Sequence, residues 1–154
     1  MKVAIGADHG GYELKSYIVN VLETLGHEIV DKGAYQYDAE DDFPDFAGPV
    51  AASVQAGEVE RGIVICGSGV GATIAANKYP GVRAGLCHDT YSAGQGVRHD
   101  DMNVLCIGAR VVGVALAEDL VKSFMVANLE ANEPRFQRRL DKVTAIEKDQ
   151  ISKN

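Results

Sequence analysis

The fold of this chain is indicated by one continuous segment, Gly62-Ile-Val-Ile-Cys66-Gly67-Ser68-Gly69-Val70-Gly71-Ala72-Thr73-Ile-Ala-Ala. Its first part is an apolar run typical of a buried strand, its middle has glycine at every second position, and its end is an alanine-rich stretch typical of a helix. This order predicts a cysteine thiol and several open backbone N–H groups at one helix N-terminus. Unpaired amides and the helix dipole both favour negative charge, so the segment predicts an anion-binding turn that carries a reactive thiolate.

Strand-like and helix-like segments alternate along the whole chain. We predict strands at 2–7, 27–31, 62–66, 82–87 and 103–107, helices at 12–25, 45–56, 72–78, 89–97, 114–128 and 133–149, and a surface loop at 33–44. The alternation predicts an α/β fold with one domain over residues 1–154. Its architecture is expected to be a three-layer α/β/α sandwich with a five-stranded parallel sheet, Rossmann-like or flavodoxin-like. Ligands bind to such sheets at the carboxyl ends of the strands.

Composition narrows the class of partner. The chain has 154 residues, 46% of them hydrophobic and 24% charged, and a formal net charge of −7. This acidic balance argues against nucleic acid or an anionic membrane as the main partner. Neither a secretory signal nor an apolar run of about 18 residues is evident, so we expect a cytoplasmic protein. The three cysteines lack zinc-site spacing, and we expect Cys87 and Cys106 to be small buried side chains.

Chemically active residues follow most of the predicted strands. Asp8 and His9 follow the first, Cys66 ends the third, His88 and Asp89 follow the fourth, and Arg110 follows the fifth. These residues should share one rim of the sheet, and Asp8, His9 and Cys66 meet if the first and third strands are neighbours.

His99 precedes the fifth strand, which places it at the opposite edge, roughly 17 Å away. To act with Cys66 it has to come from another subunit or from a helix end that bends away from this arrangement.

Other charged groups have simpler interpretations. Arg135 and Arg139 are four residues apart, so they share one helix face and could grip a phosphate together, although a solvated basic face explains the spacing equally well. The acidic run at 38–42 is expected to be solvated.

Three known site types fit the glycine-rich segment poorly. The GxGxxA spacing of a dinucleotide site falls on the third strand, and the chain has no room for a separate catalytic domain. A thiol phosphatase would need arginine where Ala72 stands. A phosphoacceptor domain would need aspartate where Cys66 stands.

What these residues can do together is acid–base chemistry. A thiolate base beside amides that hold an oxyanion, with His99 and Asp8 as acid–base partners and arginines for an anionic group, suits aldose–ketose isomerisation through an enediolate. This chemistry requires no metal or cofactor. Two alternatives stay open: the same chemistry on a hexose or tetrose phosphate, and a noncatalytic module that binds nucleotide or phosphate.

Several separated motifs resemble those of the ribose-5-phosphate isomerase B family, which is related to the galactose-6-phosphate isomerase subunits. They occur in the family's order over nearly the whole chain: Gly6-Ala-Asp8-His9-Gly-Gly, Cys66-Gly-Ser-Gly-Val-Gly71, Ala75-Ala-Asn77-Lys78, His99-Asp-Asp-Met-Asn103-Val-Leu, Gly108-Ala-Arg110-Val-Val-Gly113 and Arg135-Phe-Gln-Arg-Arg139.

The resemblance implies the interconversion of ribose 5-phosphate and ribulose 5-phosphate. Cys66 would move the proton between C2 and C1, and His99, aided by Asp8, would open the furanose ring. The loop would hold the enediolate oxygen through Gly67, Ser68, Gly69, Val70 and Gly71. Contacts to the phosphate or the sugar would come from His9, Asp100, Arg110, Arg135 and Arg139. The family forms dimers with shared sites, often paired into tetramers, so the helix at 133–149 is expected to pack on a partner.

This sequence departs from the family at two positions. Asp100 stands where the family often has asparagine, so a side-chain amide donor is replaced by a carboxyl group that is either protonated or has another role. Ala72 stands where some relatives use glutamate as the base, which leaves Cys66 as the evident base here.

Overall fold

The computed structural model describes residues 1–153. Over this range the strands are β1 Lys2–Ala7, β2 Glu28–Asp31, β3 Arg61–Cys66, β4 Ala84–Leu86 and β5 Val104–Gly108, and the helices are α1 Tyr12–Thr24, α2 Pro44–Gln55, α3 Val70–Ala76, α4 Thr90–Asp100, α5 Val114–Val126 and α6 Pro134–Ile151. None of these helices has the length and apolar character needed to cross a bilayer.

The sheet has the strand order β2-β1-β3-β5-β4, and each pair of neighbours is parallel. This arrangement confirms the predicted α/β class and places the first and third strands side by side. The register pairs Ala7 with Ile65 and Cys66 with Gly108. The carboxyl ends of β1, β3 and β5 therefore meet at one edge.

Both faces of the central strand are buried, and its side chains alternate between two cores. Ile63 and Ile65 belong to the larger core, which includes residues of α1, α4 and α5. Val64 and Cys66 belong to the second core, with residues of α2 and α3. Cys66 therefore ends β3 on the face that α2 and α3 cover.

Three elements differ from the predicted bounds in ways that affect the site. Helix α3 begins at Val70 instead of 72, so the glycine loop is short. Helix α4 continues to Asp100 instead of 97, which puts His99 in its last turn. Strand β4 covers Ala84–Leu86 instead of 82–87, because it lies at the edge and pairs with β5 alone.

Asn77, the C-cap residue of α3, binds the outer side of β4 at Ala84. The Asn77 amide accepts a hydrogen bond from the Ala84 N–H and donates one to the Ala84 carbonyl, both at 2.9 Å. A single side chain thus satisfies both backbone groups of that edge residue.

A buried arginine closes the end of α5. The Arg61 guanidinium donates to the carbonyl of Phe124 and to that of Ala127, the latter at 2.6 Å. Burial lowers the pKa of Arg61 from its ordinary value. Cationic groups suit this position because the last carbonyls of a helix have no partner within the helix.

Candidate active site

Cys66 and the glycine loop form the centre of the site. The Gly69 N–H donates to Cys66 Sγ at 3.1 Å, a contact that suits a negatively charged sulfur. Gly69 has φ +81°, and a Cβ there would lie 2.4 Å from Leu86 Cδ1 and 3.0 Å from the Ile107 carbonyl carbon. Glycine is required at this position because both the left-handed backbone and the close approach exclude a side chain. The loop is therefore folded onto the sulfur.

The loop after β1 packs directly against the loop after β3. A Cβ on Gly10 would lie 2.8 Å from the Gly67 nitrogen, and one on Gly11 would lie 2.3 Å from the Ile65 carbonyl oxygen. These approaches bring Asp8 and His9 to the Cys66 end of β3, as their positions after neighbouring strands predict.

The Asp8 carboxyl is buried in this contact. It accepts a hydrogen bond from the Gly11 N–H at 3.2 Å. Burial raises the pKa of Asp8 above its ordinary value, and the positive charge of His9 with the N–H groups of Gly10 and Gly11 offsets the rise in part. A carboxyl group of raised pKa is a stronger base in its ionised form, which suits it to taking a proton from a substrate hydroxyl.

Arg110 borders the glycine loop from the end of β5. Its backbone N–H donates to the Gly67 carbonyl at 3.0 Å. Its side chain is exposed and runs past Gly67, and Nε lies 3.6 Å from the position that a Cβ on Gly67 would take. The guanidinium is thus available to an anionic group bound at the loop. His88 supports the same corner, since its Nε2 accepts from the Gly108 N–H at 3.0 Å.

Ser68 lies exposed at the tip of the loop. Its hydroxyl oxygen accepts from the Val70 N–H at 3.3 Å, which leaves the hydroxyl proton for an acceptor in solution or in a substrate.

His9 is held by an aspartate from the acidic loop. Asp41 Oδ1 accepts the His9 backbone N–H at 2.9 Å and lies 2.7 Å from His9 Nδ1. The Asp41 side chain is only 10% exposed. The expectation that the whole 38–42 run is solvated is therefore wrong for Asp41, because the loop returns to the carboxyl edge after β2 and folds this side chain inward.

Asp8, His9 and Asp41 are the one group among residues 1–153 whose donor atoms cluster closely enough to hold a metal ion, all within 4.8 Å. At 2.7 Å, the Nδ1–Oδ1 distance is that of a hydrogen bond with a proton between the two atoms. We therefore assign the cluster as a hydrogen-bonded pair beside a buried carboxyl group.

The other two thiols lie in the hydrophobic cores. Cys87 and Cys106 are buried, as predicted. Burial raises the pKa of Cys87 to about 11 and that of Cys106 to about 12. Of the cysteines, Cys66 is the one that combines the carboxyl edge with a backbone N–H donor.

His99 lies in a second cluster, away from Cys66. Its ring stacks on Phe136 of α6, with centroids 3.9 Å apart and planes inclined by 16°. The Gln95 amide nitrogen lies 2.9 Å from His99 Nδ1. An amide nitrogen only donates, so Nδ1 accepts and Nε2 carries the proton of the neutral ring. Glu130 is 3.9 Å from that Nε2.

The two clusters lie at opposite edges of the sheet within one chain. Helix α4 starts at Asp89, which follows β4 and caps the helix by accepting from the Ser92 N–H at 2.7 Å. Its 11 residues extend about 16 Å back toward the amino edge. There Asn103 contacts the start of β3 through Gly62. His99 is therefore at the edge opposite to Cys66, as predicted.

Arg135, Arg139 and Asp100 belong to the His99 side. Arg135 and Arg139 are both exposed on α6, and the Arg135 guanidinium carbon is 4.7 Å from the centre of the Phe136 ring that His99 stacks on. Asp100 follows His99 directly and is exposed. Within this chain the predicted site residues thus form two groups, one around Cys66 and one around His99.

Sequence reasoning did not single out Asp41, Gln95 or Phe136. Phe136 lies between the two arginines in the Arg135-Phe-Gln-Arg-Arg139 motif, and Gln95 is four residues before His99, the spacing of side chains that meet on a helix. Those spacings could have indicated both residues. Nothing in the local pattern distinguishes Asp41 from the other acidic residues beside it.

An oriented thiol, amide donors and a buried carboxyl at the carboxyl edge of a parallel sheet define an α/β protein with a candidate acid–base site. Residues 3–143 match the family model described as Ribose/Galactose Isomerase. The chain belongs to that family.

Similar proteins cover nearly the whole chain. The ribose-5-phosphate isomerase B of Escherichia coli is 46% identical over 146 residues, which are 95% of this chain and 96% of that protein. The enzyme of the same name from Mycobacterium tuberculosis H37Rv is 41% identical over 148 residues, 96% of this chain and 91% of that protein.

Solved structures agree with this assignment. Ribose-5-phosphate isomerase B from Clostridium thermocellum superposes with a TM-score of 0.92 at 45% identity, covering 97% of this chain and 99% of that one. The Mycoplasma genitalium enzyme, solved with bound ribulose 5-phosphate, gives 0.90 at 41% identity, covering 96% of each chain.

Proposed function

We propose that this chain is an aldose–ketose isomerase that interconverts ribose 5-phosphate and ribulose 5-phosphate. The single observation that carries the proposal is the Cys66 sulfur, held by the Gly69 N–H beside the buried Asp8 carboxyl. Relatives named for this reaction, and a related structure with ribulose 5-phosphate bound, support the choice of substrate.

The proposed reaction begins with the opening of the sugar ring. In its imidazolium form, His99 gives the Nε2 proton to the ring oxygen and becomes neutral, and the Asp8 carboxylate takes the proton of the C1 hydroxyl. An imidazolium is the form of histidine that acts as an acid, and the raised pKa of Asp8 makes its carboxylate a better proton acceptor. The product is the open-chain aldehyde.

Isomerisation follows at C1 and C2. The Cys66 thiolate takes the C2 proton, and the electron pair of that bond forms the C1–C2 double bond as negative charge moves to O1. The N–H groups of the Gly67–Gly71 loop that do not bind Cys66 or Ser68, together with the Ser68 hydroxyl, hold that charge. Cys66 then returns its proton to C1 while the O2 proton passes to O1, which yields the ketose.

A complete site requires two copies of the chain in this proposal. The Cys66 group and the His99 group lie at opposite edges of one subunit, so we assign the second group to a partner in a homodimer. Arg135 and Arg139 would then reach across with His99, and Arg110 and His9 would meet the same sugar phosphate from the Cys66 side.

Helix α6 offers a surface for that partner. Val143, Ile146 and Ile151 are each more than half exposed. The first two line an open groove of about 640 Å³ between α6 and the β4 edge. Residues 1–154 would act as one catalytic domain with α6 packed on the neighbour. The free thiols suit a reducing, cytoplasmic location.

The test is a comparison of kcat/KM for aldose phosphates of four, five and six carbons, because this ratio measures discrimination directly. We expect ribose 5-phosphate to be preferred and allose 6-phosphate or erythrose 4-phosphate to react more slowly. A higher kcat/KM for a hexose phosphate would assign the same chemistry to a different substrate. Binding of sugar phosphate without isomerisation would contradict the proposal.

A further inference from the structure

Asp41 binds both the backbone and the side chain of His9. One carboxylate oxygen, Oδ1, accepts from the His9 backbone N–H and from its Nδ1. The other oxygen, Oδ2, is buried and has no hydrogen-bond partner among residues 1–153. A buried carboxylate is costly unless it is paired, so this arrangement ties Asp41 to the imidazole that faces it.

The pairing decides which atom of His9 faces the site. A carboxylate only accepts hydrogen bonds, so the proton of the neutral ring is on Nδ1 and the lone pair is on Nε2. His9 is 28% exposed and lines a cavity of about 360 Å³ at the carboxyl edge. When the ring is protonated, its Nε2–H is therefore a charged donor toward that cavity.

We propose that Asp41 is a positioning residue, which fixes the orientation and tautomer of His9 and keeps a cationic Nε2 donor available to the sugar phosphate. The inference rests on the proposed function and adds to it a residue that does not touch the substrate. Asp41 would act as a carboxylate does when it accepts the second ring N–H of a catalytic or metal-bound histidine and so fixes the orientation of that ring.

The electrostatics of the surroundings agree with this geometry. The hydrogen bond to Asp41 raises the pKa of His9 above its ordinary value, with further contributions from the charges of Asp8 and Asp41, and desolvation opposes the rise. The titratable groups that face His9 from α1 and from the 33–43 loop are Glu13, Tyr17 and Tyr37. The α5 side of the cavity has no titratable group, since Ala109, Val112, Gly113 and Val114 line it.

The first test is an NMR titration of the imidazole nitrogens in the wild type, Asp41→Asn and Asp42→Asn. Asp42 is the matched control because it is the next residue and is exposed. We expect the wild-type His9 to titrate above about 6.5, the ordinary histidine value, with the neutral ring protonated on Nδ1. Asp41→Asn should lower the midpoint, and Asp42→Asn should leave it unchanged.

The second test is the pH dependence of KM for ribose 5-phosphate. A protonated His9 binds the anion, so KM should rise as the pH passes above the His9 pKa, and in Asp41→Asn the rise should begin at lower pH. At pH 7.5 we expect KM to increase on the order of tenfold, with a smaller change in kcat. In a His9→Asn background, Asp41→Asn should add no further increase.

The outcomes separate this inference from the proposed function. The role of Asp41 would be overturned if Asp41→Asn left the titration midpoint and the tautomer of His9 unchanged. It would also be overturned if Asp41→Asn raised KM equally in the wild type and in His9→Asn. If Asp41→Asn does not fold, the wild-type titration decides: a midpoint below the ordinary value, or a neutral ring protonated on Nε2, overturns it. A wild type without isomerase activity overturns the proposed function.

Discussion

Cys66 differs from the other two cysteines in what surrounds its sulfur. A backbone N–H points at it from Gly69, at the carboxyl end of the central strand. The thiols of Cys87 and Cys106 are enclosed by side chains of the two cores, and burial disfavours their ionised forms. Position in the fold, more than chemical type, separates the proposed base from the two core cysteines.

Replacing Cys66 with alanine is expected to lower kcat for ribose 5-phosphate at least about a hundredfold, the lower end of typical general-base contributions. The fold should persist, because the change removes one sulfur atom at the edge of the smaller core. Cys87→Ala is the control, since it removes a thiol that takes no part in the proposed reaction. Steady-state kinetics measure both. Near-normal turnover in Cys66→Ala would contradict the assignment of the base.

Arg61 allows a stability test far from the site. Arg61→Met keeps most of the aliphatic stem but removes both hydrogen bonds to the end of α5, leaving the Phe124 and Ala127 carbonyls unpaired. We expect the free energy of unfolding to fall by about 1–3 kcal/mol in urea denaturation. Arg138→Met, on the exposed side of α6, should change it by less than about 0.5 kcal/mol. If Arg61→Met were as stable as the wild type, the two hydrogen bonds of Arg61 would make no net contribution to the free energy of unfolding.

At the level of elements, the glycine loop is the part most constrained by its neighbours. Gly69 and Gly81 have nearly the same backbone angle, φ +81° and φ +80°. A Cβ on Gly81 would meet nothing within 4 Å, whereas one on Gly69 would meet Leu86 and the β5 backbone. Comparing alanine substitutions at the two positions therefore separates the free energy of the left-handed backbone from that of the steric clash with neighbouring atoms.

Both substitutions to alanine pay for a left-handed backbone, about 1–2 kcal/mol. We expect Gly69→Ala to lose at least about 1 kcal/mol more than Gly81→Ala, because its neighbours have to move. Gly69→Ala should also lower kcat, since the N–H that faces Cys66 moves with the loop. Thermal unfolding and turnover measured on both variants check this. Identical losses in the two would mean that the loop relaxes freely.

The elements themselves could be predicted from sequence because their patterns are local. The apolar run at Gly62–Cys66 and the spacing of Leu14, Ile18 and Leu22 each reflect one strand or one helix face. The ends of β4 and α4 could not be predicted, because they depend on pairing with β5 and on the packing of α6 on α4. Asp41 was missed for the same reason. Its burial depends on the conformation of the whole 33–43 loop, which the residues next to it in the sequence do not predict.

At the scale of the whole molecule, the two clusters at opposite edges predict sites that are completed by a partner. Mixing Cys66→Ala protein with His99→Ala protein should restore activity in hybrid dimers, because one of the two shared sites then has both native groups. With random exchange, about half of the dimers are hybrids, so recovery of roughly a quarter of wild-type activity is expected under the two-site symmetry of a dimer.

The control for this experiment is the same mixture without subunit exchange, and native mass spectrometry confirms that hybrids have formed. No recovery in confirmed hybrids would indicate that Cys66 and His99 act within one chain, contrary to the proposed arrangement.

The Asn77 amide on Ala84 has a consequence for how copies of this chain can associate. An exposed edge strand is a template on which another chain can add a strand, and such growth is open-ended. Here the edge residue's N–H and carbonyl are already occupied by a side chain, and the strand is only three residues long. Strand addition at Ala84 is therefore blocked, and any contact that another copy makes along this part of the β4 edge has to use side chains.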